Sequence, residues 1–65
     1  MNRIKELRTA KGITQTKLAE DANVTQPFIN DLEHGRRGAK PDTFRRIAEA
    51  LGVTPEELEA DEKVG

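Results

Sequence analysis

Apolar residues recur at helical spacing in five short segments of the chain. Within each segment they lie three or four positions apart, as one face of an α-helix requires. No stretch sustains the alternation of apolar and polar residues that marks a half-buried strand. Turn-forming residues separate the segments, among them Gly12, Asn23 and Gly52. The pattern predicts an all-α fold, a compact domain of five short helices.

Capping residues predict where several helices begin. Threonine is favoured at a helix N-cap because its hydroxyl accepts a hydrogen bond from a backbone N–H of the first turn. Thr14, Thr25 and Thr54 therefore mark the starts of the second, third and fifth helices. Glu57 lies three residues after Thr54, as a capping box requires. The first helix is expected over residues 2–11.

Other helix limits come from asparagine, glycine and proline. Asn23 and Gly52 tolerate the left-handed backbone that ends a helix, so they predict the ends of the second and fourth helices. Pro41 is expected in the first turn of the fourth helix, where its missing N–H does no harm. His34 and Gly35 are expected to end the third helix.

Length and composition limit the chain to one small domain. It has 65 residues, of which 34% are hydrophobic, and no cysteine. A chain of this size buries only about 60% of its unfolded surface. We expect one domain over residues 1–60 and a frayed acidic tail over residues 61–65. No run of about 20 apolar residues and no secretion signal is visible, so we expect a cytoplasmic protein with no membrane partner.

The sequence lacks the residues that enzymes and cofactor sites need. It has no serine or cysteine, and its one histidine, His34, lies at a helix end where the helix dipole favours a cation. No glycine-rich phosphate loop and no ligand cluster with metal spacing is present. We therefore expect a binding domain rather than an enzyme, with no cofactor, no metal and no small-molecule ligand.

Charge is unevenly distributed along the chain, although the net charge is only −1. Residues 1–47 carry ten Lys or Arg and six Asp or Glu, whereas residues 48–65 carry one lysine and six acidic residues. A basic body with an acidic end is typical of a chain that turns one side toward phosphate. Ordinary scatter of surface charge is the alternative.

The second and third helices are separated by about three residues. This is the spacing of a helix-turn-helix unit, in which the second helix of the pair enters the DNA major groove. A short helical hairpin also occurs in proteins that do not bind DNA, so the spacing alone leaves both possibilities open.

Residues 14–35, TQTKLAEDANVTQPFINDLEHG, resemble the lambda-repressor-like family (Cro/cI-type, also called XRE). The shared features are a Gln followed by Leu-Ala in the second helix, a Thr-Gln pair after the turn, and then Ile, Glu and Gly. The resemblance covers about residues 2–58. It implies a sequence-specific regulator of transcription, a repressor by preference, that reads double-stranded DNA with residues 25–34 in the major groove.

The resemblance also implies an assembly and a location. Family members usually act on a two-fold operator, and they often pair through the region of the fourth and fifth helices. We therefore expect a monomer or a weak homodimer in solution that pairs on DNA, with Val53, Thr54 and Leu58 as the available contact. The expected location is a bacterial or phage-type cytoplasm, at the nucleoid. The alternative is a protein-interaction module of the same fold, antitoxin-like or regulator-docking. Near-neutral charge, Asp31 and the acidic fifth helix favour that alternative.

Four residues of the third helix lie at its start or opposite its apolar face. Gln26 and Asn30 can each pair with adenine, and Gln26 can instead hold a phosphate. Pro27 offers an apolar contact or simply starts the helix. Asp31 is unusual, because many family members carry a basic or amide residue there; it can accept from a cytosine amino group or be solvated. The expected base contacts are Gln26, Pro27, Asn30 and Asp31.

The expected phosphate contacts flank that helix. The resemblance implies that the Gln early in the second helix holds a phosphate, helped by the positive helix N-terminus. A basic loop follows the third helix where the DNA backbone would pass. Phe28 lies on the flank of the third helix, either as a wall of the groove or as a cover for the core edge. The expected phosphate contacts are Gln15, Lys17, Thr25, Arg36, Arg37 and Lys40.

The resemblance further implies an ion pair inside the domain. Glu33 lies on the inner flank of the third helix and needs a partner there, because an unpaired buried charge is costly. In the family a basic residue at the position of Arg8 often pairs with this glutamate. We expect an Arg8–Glu33 salt bridge that holds the first helix against the third.

Overall fold

The computed structural model describes residues 2–59, and this part of the chain folds into five α-helices with no strand. The all-α prediction is therefore confirmed. The tail expected over residues 61–65 lies outside the described residues. None of the described helices is both long and apolar enough to span a bilayer. The helices are α1 (Ile4–Ala10), α2 (Gln15–Ala22), α3 (Gln26–Glu33), α4 (Pro41–Leu51) and α5 (Pro55–Glu59).

The predicted caps form the helix ends. The hydroxyl of Thr14 accepts a hydrogen bond from the backbone N–H of Lys17 at 3.0 Å. Thr54 and Glu57 form the reciprocal capping box, because each side chain accepts from the other residue's backbone N–H at 3.1 Å. Asn23 ends α2 with φ at 61°, the left-handed conformation that its short amide side chain tolerates.

The first helix is shorter than expected, because Asn2 lies outside it. The Asn2 Oδ1 accepts from the backbone N–H of Ile4 at 3.0 Å and satisfies a donor of the first turn. The Asn2 Nδ2 donates to the carbonyl oxygen of Leu32 at 3.1 Å. Asn2 therefore joins the start of α1 to the end of α3.

The core is made of apolar side chains from all five helices. Helix α2 lies against both α3 and α4, and its small residues allow close approach there. Since no disulfide links the described residues, this packing and the polar contacts around it hold the domain together. The buried residues are Ile4, Leu18, Ala19, Ala22, Ile29, Leu32, Ile47, Ala48, Leu51 and Leu58.

Leu58 belongs to this core and not to the surface. Its side chain is 0% exposed, and its carbonyl oxygen accepts from the backbone N–H of Arg3 at 2.7 Å. The prediction that Leu58 belongs to an exposed dimer patch is therefore wrong. Helix α5 is only five residues long, so its one buried side chain is used to attach it to the domain. Only Val53 and Thr54 of the expected patch retain exposed surface.

The expected Arg8–Glu33 ion pair is present. The Arg8 Nε lies 2.6 Å from Glu33 Oε2, and the Arg8 Nη2 lies 3.2 Å from Oε1, so the pairing is bidentate. The two side chains are only 12% and 1% exposed. The remaining Arg8 nitrogen, Nη1, donates to the carbonyl oxygen of Ile13 at 2.9 Å. Arg8 thus holds together α1, the loop after it and α3.

Removing one partner of this ion pair should strongly destabilise the domain. Glu33→Leu or Arg8→Met alone should each lower the free energy of unfolding by about 3–5 kcal/mol, because the other charge remains buried without a partner. The double variant should recover part of that loss in a urea-denaturation cycle. The exposed pair Lys17–Asp21 is the control and should couple by only about 0–1 kcal/mol. Equal coupling in the two pairs would contradict this assignment.

Truncation of the α5 anchor should also be costly. Leu58→Ala removes the only buried side chain of α5, so we expect a loss of about 2–5 kcal/mol in the free energy of unfolding. Thermal unfolding followed by circular dichroism measures the loss. Glu59→Ala, at the neighbouring exposed position, should leave the midpoint almost unchanged. A Leu58→Ala midpoint like that of the wild type would show that α5 is dispensable.

Candidate nucleic-acid interface

Helices α2 and α3 are joined by three residues, and the structure orients α3 through its apolar side. The backbone N–H of Val24, in the turn, donates to the carbonyl oxygen of Ala19 at 2.9 Å. Ile29 and Leu32 are buried and fix the inner side of α3. The opposite side of α3 is open to solvent. It carries Gln26, Pro27 and His34, which are exposed, and Asn30 and Asp31, which are partly exposed.

A hydrogen-bonded group of three amides connects α2 to α3. The Gln15 Nε2 donates to Glu33 Oε1 at 2.9 Å and to Asn30 Oδ1 at 3.2 Å. The Gln15 Oε1 accepts from Gln26 Nε2 at 2.6 Å. Together with the Arg8–Glu33 pair, these bonds form one continuous chain from α1 to the open side of α3. We call Gln15, Gln26 and Asn30 the amide group.

This arrangement changes the role expected for Gln15. A primary amide has two N–H donors, and both of those on Gln15 are directed to acceptors inside the protein. In this arrangement its remaining capacity is an acceptor, and the expected phosphate contact of Gln15 stays a prediction. The donors left at this place are the backbone N–H groups of Gln15 and Thr16, which have no acceptor within the helix, whereas that of Lys17 donates to the Thr14 cap. The Gln15 side chain is a link between helices.

Basic side chains surround the open side of α3, and we call Lys17, Arg36, Arg37 and Lys40 the rim. Two of them form weak ion pairs within the protein. The Lys17 Nζ lies 3.4 Å from Asp21, and the Arg36 Nη1 lies 3.4 Å from Asp31. All four of these side chains are substantially exposed, so each pair contributes only about 0–1 kcal/mol to stability. Lys40 is exposed and occupies the N-cap position of α4.

Phe28 and Thr25 have structural partners beside this rim. The Phe28 ring is half-buried against the core, and the Arg37 guanidinium lies 4.4 Å from the ring centroid, a cation–π contact. Phe28 therefore covers the core edge and also supports a basic residue of the loop. The Thr25 hydroxyl accepts from the backbone N–H of Phe28 at 3.3 Å, so it caps α3.

Two contacts that position these helices are not visible in the sequence pattern. The Arg46 Nε donates to the carbonyl oxygen of Ala22 at 3.0 Å and so caps the end of α2 from α4. Asn2 caps the end of α3. In both cases the partner lies more than 20 residues away, and no local spacing signals it.

Two further features of the described residues concern the pKa of Glu6 and the capacity to bind a metal ion. The pKa of Glu6 is lowered by a hydrogen bond from Arg3 and by the charge of that guanidinium, but Glu6 is on α1, at the surface. Residues 2–59 contain no group of three or more His, Cys, Asp or Glu side chains able to hold a metal ion. The surface around α3 carries exposed amide groups and basic side chains.

Known proteins resemble this chain over most of its length. The family model described as helix-turn-helix matches residues 4–58. The control protein C.BamHI of Bacillus amyloliquefaciens is 33% identical over 57 residues, which cover 86% of this chain and 70% of that protein. The immunity repressor protein of Bacillus phage phi105 is 37% identical over 51 residues, covering 78% of this chain but only 35% of the repressor.

A solved structure agrees with these matches. The restriction-modification controller protein C.AhdI from Aeromonas hydrophila superimposes with a TM-score of 0.83 at 36% identity, covering 86% of this chain and 85% of that one. The family match spans nearly the whole described chain, and the resemblance of residues 14–35 is thereby confirmed. This chain belongs to the helix-turn-helix family, of the lambda-repressor-like type.

Proposed function

We propose that this chain is a DNA-binding transcriptional regulator that reads the major groove of duplex DNA with α3. The observation that carries the proposal is the open side of α3, where Gln26 and Asn30 stand opposite the buried Ile29 and Leu32. Amides of this kind form hydrogen bonds with base edges, and the N-terminal residues of a recognition helix usually make such contacts. The relatives named as a control protein and as an immunity repressor support the same function.

The residues on the open side of α3 divide the base contacts among them. Gln26, at the start of the helix, pairs with a base edge through its amide. Asn30, one turn later, contacts the next part of the groove. Pro27 makes an apolar contact with a thymine methyl group, and Asp31 accepts a hydrogen bond from a cytosine amino group.

The rim holds the DNA backbone. Arg36, Arg37 and Lys40 follow α3 where one strand passes, and Lys17 with the backbone at the start of α2 meets the other strand. Thr25 contacts phosphate next to the turn. Because the Lys17 and Arg36 pairs are exposed, exchanging their carboxylates for phosphate costs little.

Two copies act together on a two-fold operator. Half-sites then lie about one helical turn of DNA apart. Val53 and Thr54 provide only a small contact, so the free protein is a monomer or weak dimer that pairs on DNA. The relative named as a repressor favours repression over activation. We place the protein in the cytoplasm of a bacterial or phage-infected cell, at the nucleoid.

Enrichment from a random-sequence duplex library at low salt tests the proposal. The wild type should enrich a two-fold motif, and Gln26→Ala and Asn30→Ala should each lose preference at one base position per half-site. Each lost contact should lower discrimination by about 1–3 kcal/mol. Glu49→Ala, on the exposed side of α4, is the control and should keep the motif. A folded wild type that enriches nothing would support protein docking instead.

Asp31 should limit phosphate binding through its pair with Arg36. Arg36 must leave Asp31 to reach phosphate, so Asp31→Asn should raise the affinity for non-specific duplex by up to about five-fold, which corresponds to the roughly 1 kcal/mol that an exposed pair can contribute. The number of phosphate contacts stays the same, so the slope of log affinity against log salt should hardly change. Asp42→Asn, which breaks the similar Arg45 pair on α4, should leave the affinity unchanged. An Asp31→Asn affinity equal to that of the wild type would exclude this role for Asp31.

A further inference from the structure

We infer that the buried Arg8–Glu33 pair sets the base preference of α3, because it fixes the orientation of the amide group. Neither Arg8 nor Glu33 lies on the open side of the helix. Their influence passes through Gln15 to Gln26 and Asn30. The inference rests on the proposed function. It adds which base edges can form hydrogen bonds with Gln26 and Asn30, the two outer amides.

The orientation starts at Glu33, whose carboxylate can only accept hydrogen bonds. Its Oε2 accepts from Arg8 Nε at 2.6 Å, and its Oε1 accepts from Arg8 Nη2 at 3.2 Å. Gln15 approaches the same Oε1 at 2.9 Å. Because the Glu33 side chain is 1% exposed, solvent does not stand between the two groups. Gln15 must therefore turn its NH₂, and not its oxygen, toward Glu33.

Gln15 passes this orientation to both outer amides. Its second N–H donates to Asn30 Oδ1 at 3.2 Å, which directs the Asn30 oxygen inward. Its Oε1 faces Gln26 and accepts from the Gln26 Nε2 at 2.6 Å, which directs the Gln26 NH₂ inward. All the hydrogen-bonding groups of Gln15 are then in use except one lone pair of its oxygen.

The two outer amides consequently present different groups to DNA. Gln26 retains its oxygen and one N–H, the pair that matches the amino group and N7 of adenine. Asn30 presents the two N–H groups of its Nδ2 and no outward oxygen. It therefore matches acceptors, which are O6 and N7 of guanine or O4 of thymine. The earlier expectation that Asn30 pairs bidentately with adenine does not fit this orientation.

Glu33→Gln tests the inference with a neutral side chain of almost the same shape. The oxygen should stay on the shorter bond, which comes from Arg8 Nε at 2.6 Å. The new NH₂ then takes the position of Oε1, where the longer bond from Arg8 Nη2 is lost, and faces Gln15. Gln15 then turns over, and Gln26 turns its oxygen inward. The adenine preference at the position read by Gln26 should fall from about ten-fold or more to under about three-fold.

The experiment is enrichment from a random duplex library with four proteins. The wild type gives the motif, and Gln26→Ala identifies the position that Gln26 reads. Glu33→Gln is the test, and Glu6→Gln is the matched control, since Glu6 is an exposed glutamate that also accepts from an arginine. A loss of stability in Glu33→Gln lowers binding to every sequence by the same factor, so the ratio between bases reports orientation alone.

The outcomes separate the inference from the proposed function. The inference is supported if the wild type and Glu6→Gln enrich the same motif, and Glu33→Gln loses the base preference at the position that Gln26 reads. A motif kept unchanged by Glu33→Gln overturns the inference and leaves the proposed function standing. No motif for the wild type refutes the proposed function and the claim about bases with it.

A measurement on the free protein tests the orientation without DNA. Side-chain amide exchange by nuclear magnetic resonance should show both Nε2 protons of Gln15 exchanging more slowly than the Nδ2 protons of Asn30. Glu33→Gln should remove that difference. Equal exchange in the wild type would overturn the orientation itself.

Discussion

The rest of the domain depends on one buried ion pair. A carboxylate that is 1% exposed is stable only with a partner and with its remaining lone pairs filled, and Arg8 and Gln15 supply both. Arg8 belongs to α1 and Gln15 to α2, so the hydrogen bonds that Glu33 accepts from them fix α3 relative to both helices. Apolar packing has no direction and permits small rotations of α3, whereas these hydrogen bonds specify one orientation.

Under the proposed function, the same contacts serve both stability and recognition. In a chain of 65 residues the core is small, so buried polar contacts also contribute to holding the helices together. Gln15 illustrates this: it completes the buried pair on one side and orients Gln26 on the other. If the inference holds, substitution at such a residue changes folding and base readout together, and only a ratio between DNA sequences separates the two effects.

Much of the fold follows from local sequence, but the inner contacts of the site do not. Thr54 with Glu57, and Asn23, act through backbone groups within a few residues, so their spacing alone predicts helix ends. The Arg8–Glu33 pair was accessible through the resemblance and the cost of a buried charge. Leu58 is the one strongly apolar residue of α5, so the sequence predicts it as the anchor of that helix, and it is buried. The inward position of Gln15 depends on how distant helices pack, and no local period carries that information.

The interface combines a fixed centre with an exchangeable rim. The amide group is held by bonds to a buried carboxylate, whereas Lys17 and Arg36 make exposed pairs at 3.4 Å that water and salt weaken. Phosphate contacts position a protein on DNA, and base contacts specify the sequence. A rim that exchanges a carboxylate for a phosphate suits positioning on DNA. Amides that cannot turn over suit the reading of bases. The net charge of −1 does not oppose this division, because much of the acidic excess lies on α5, which packs against α4.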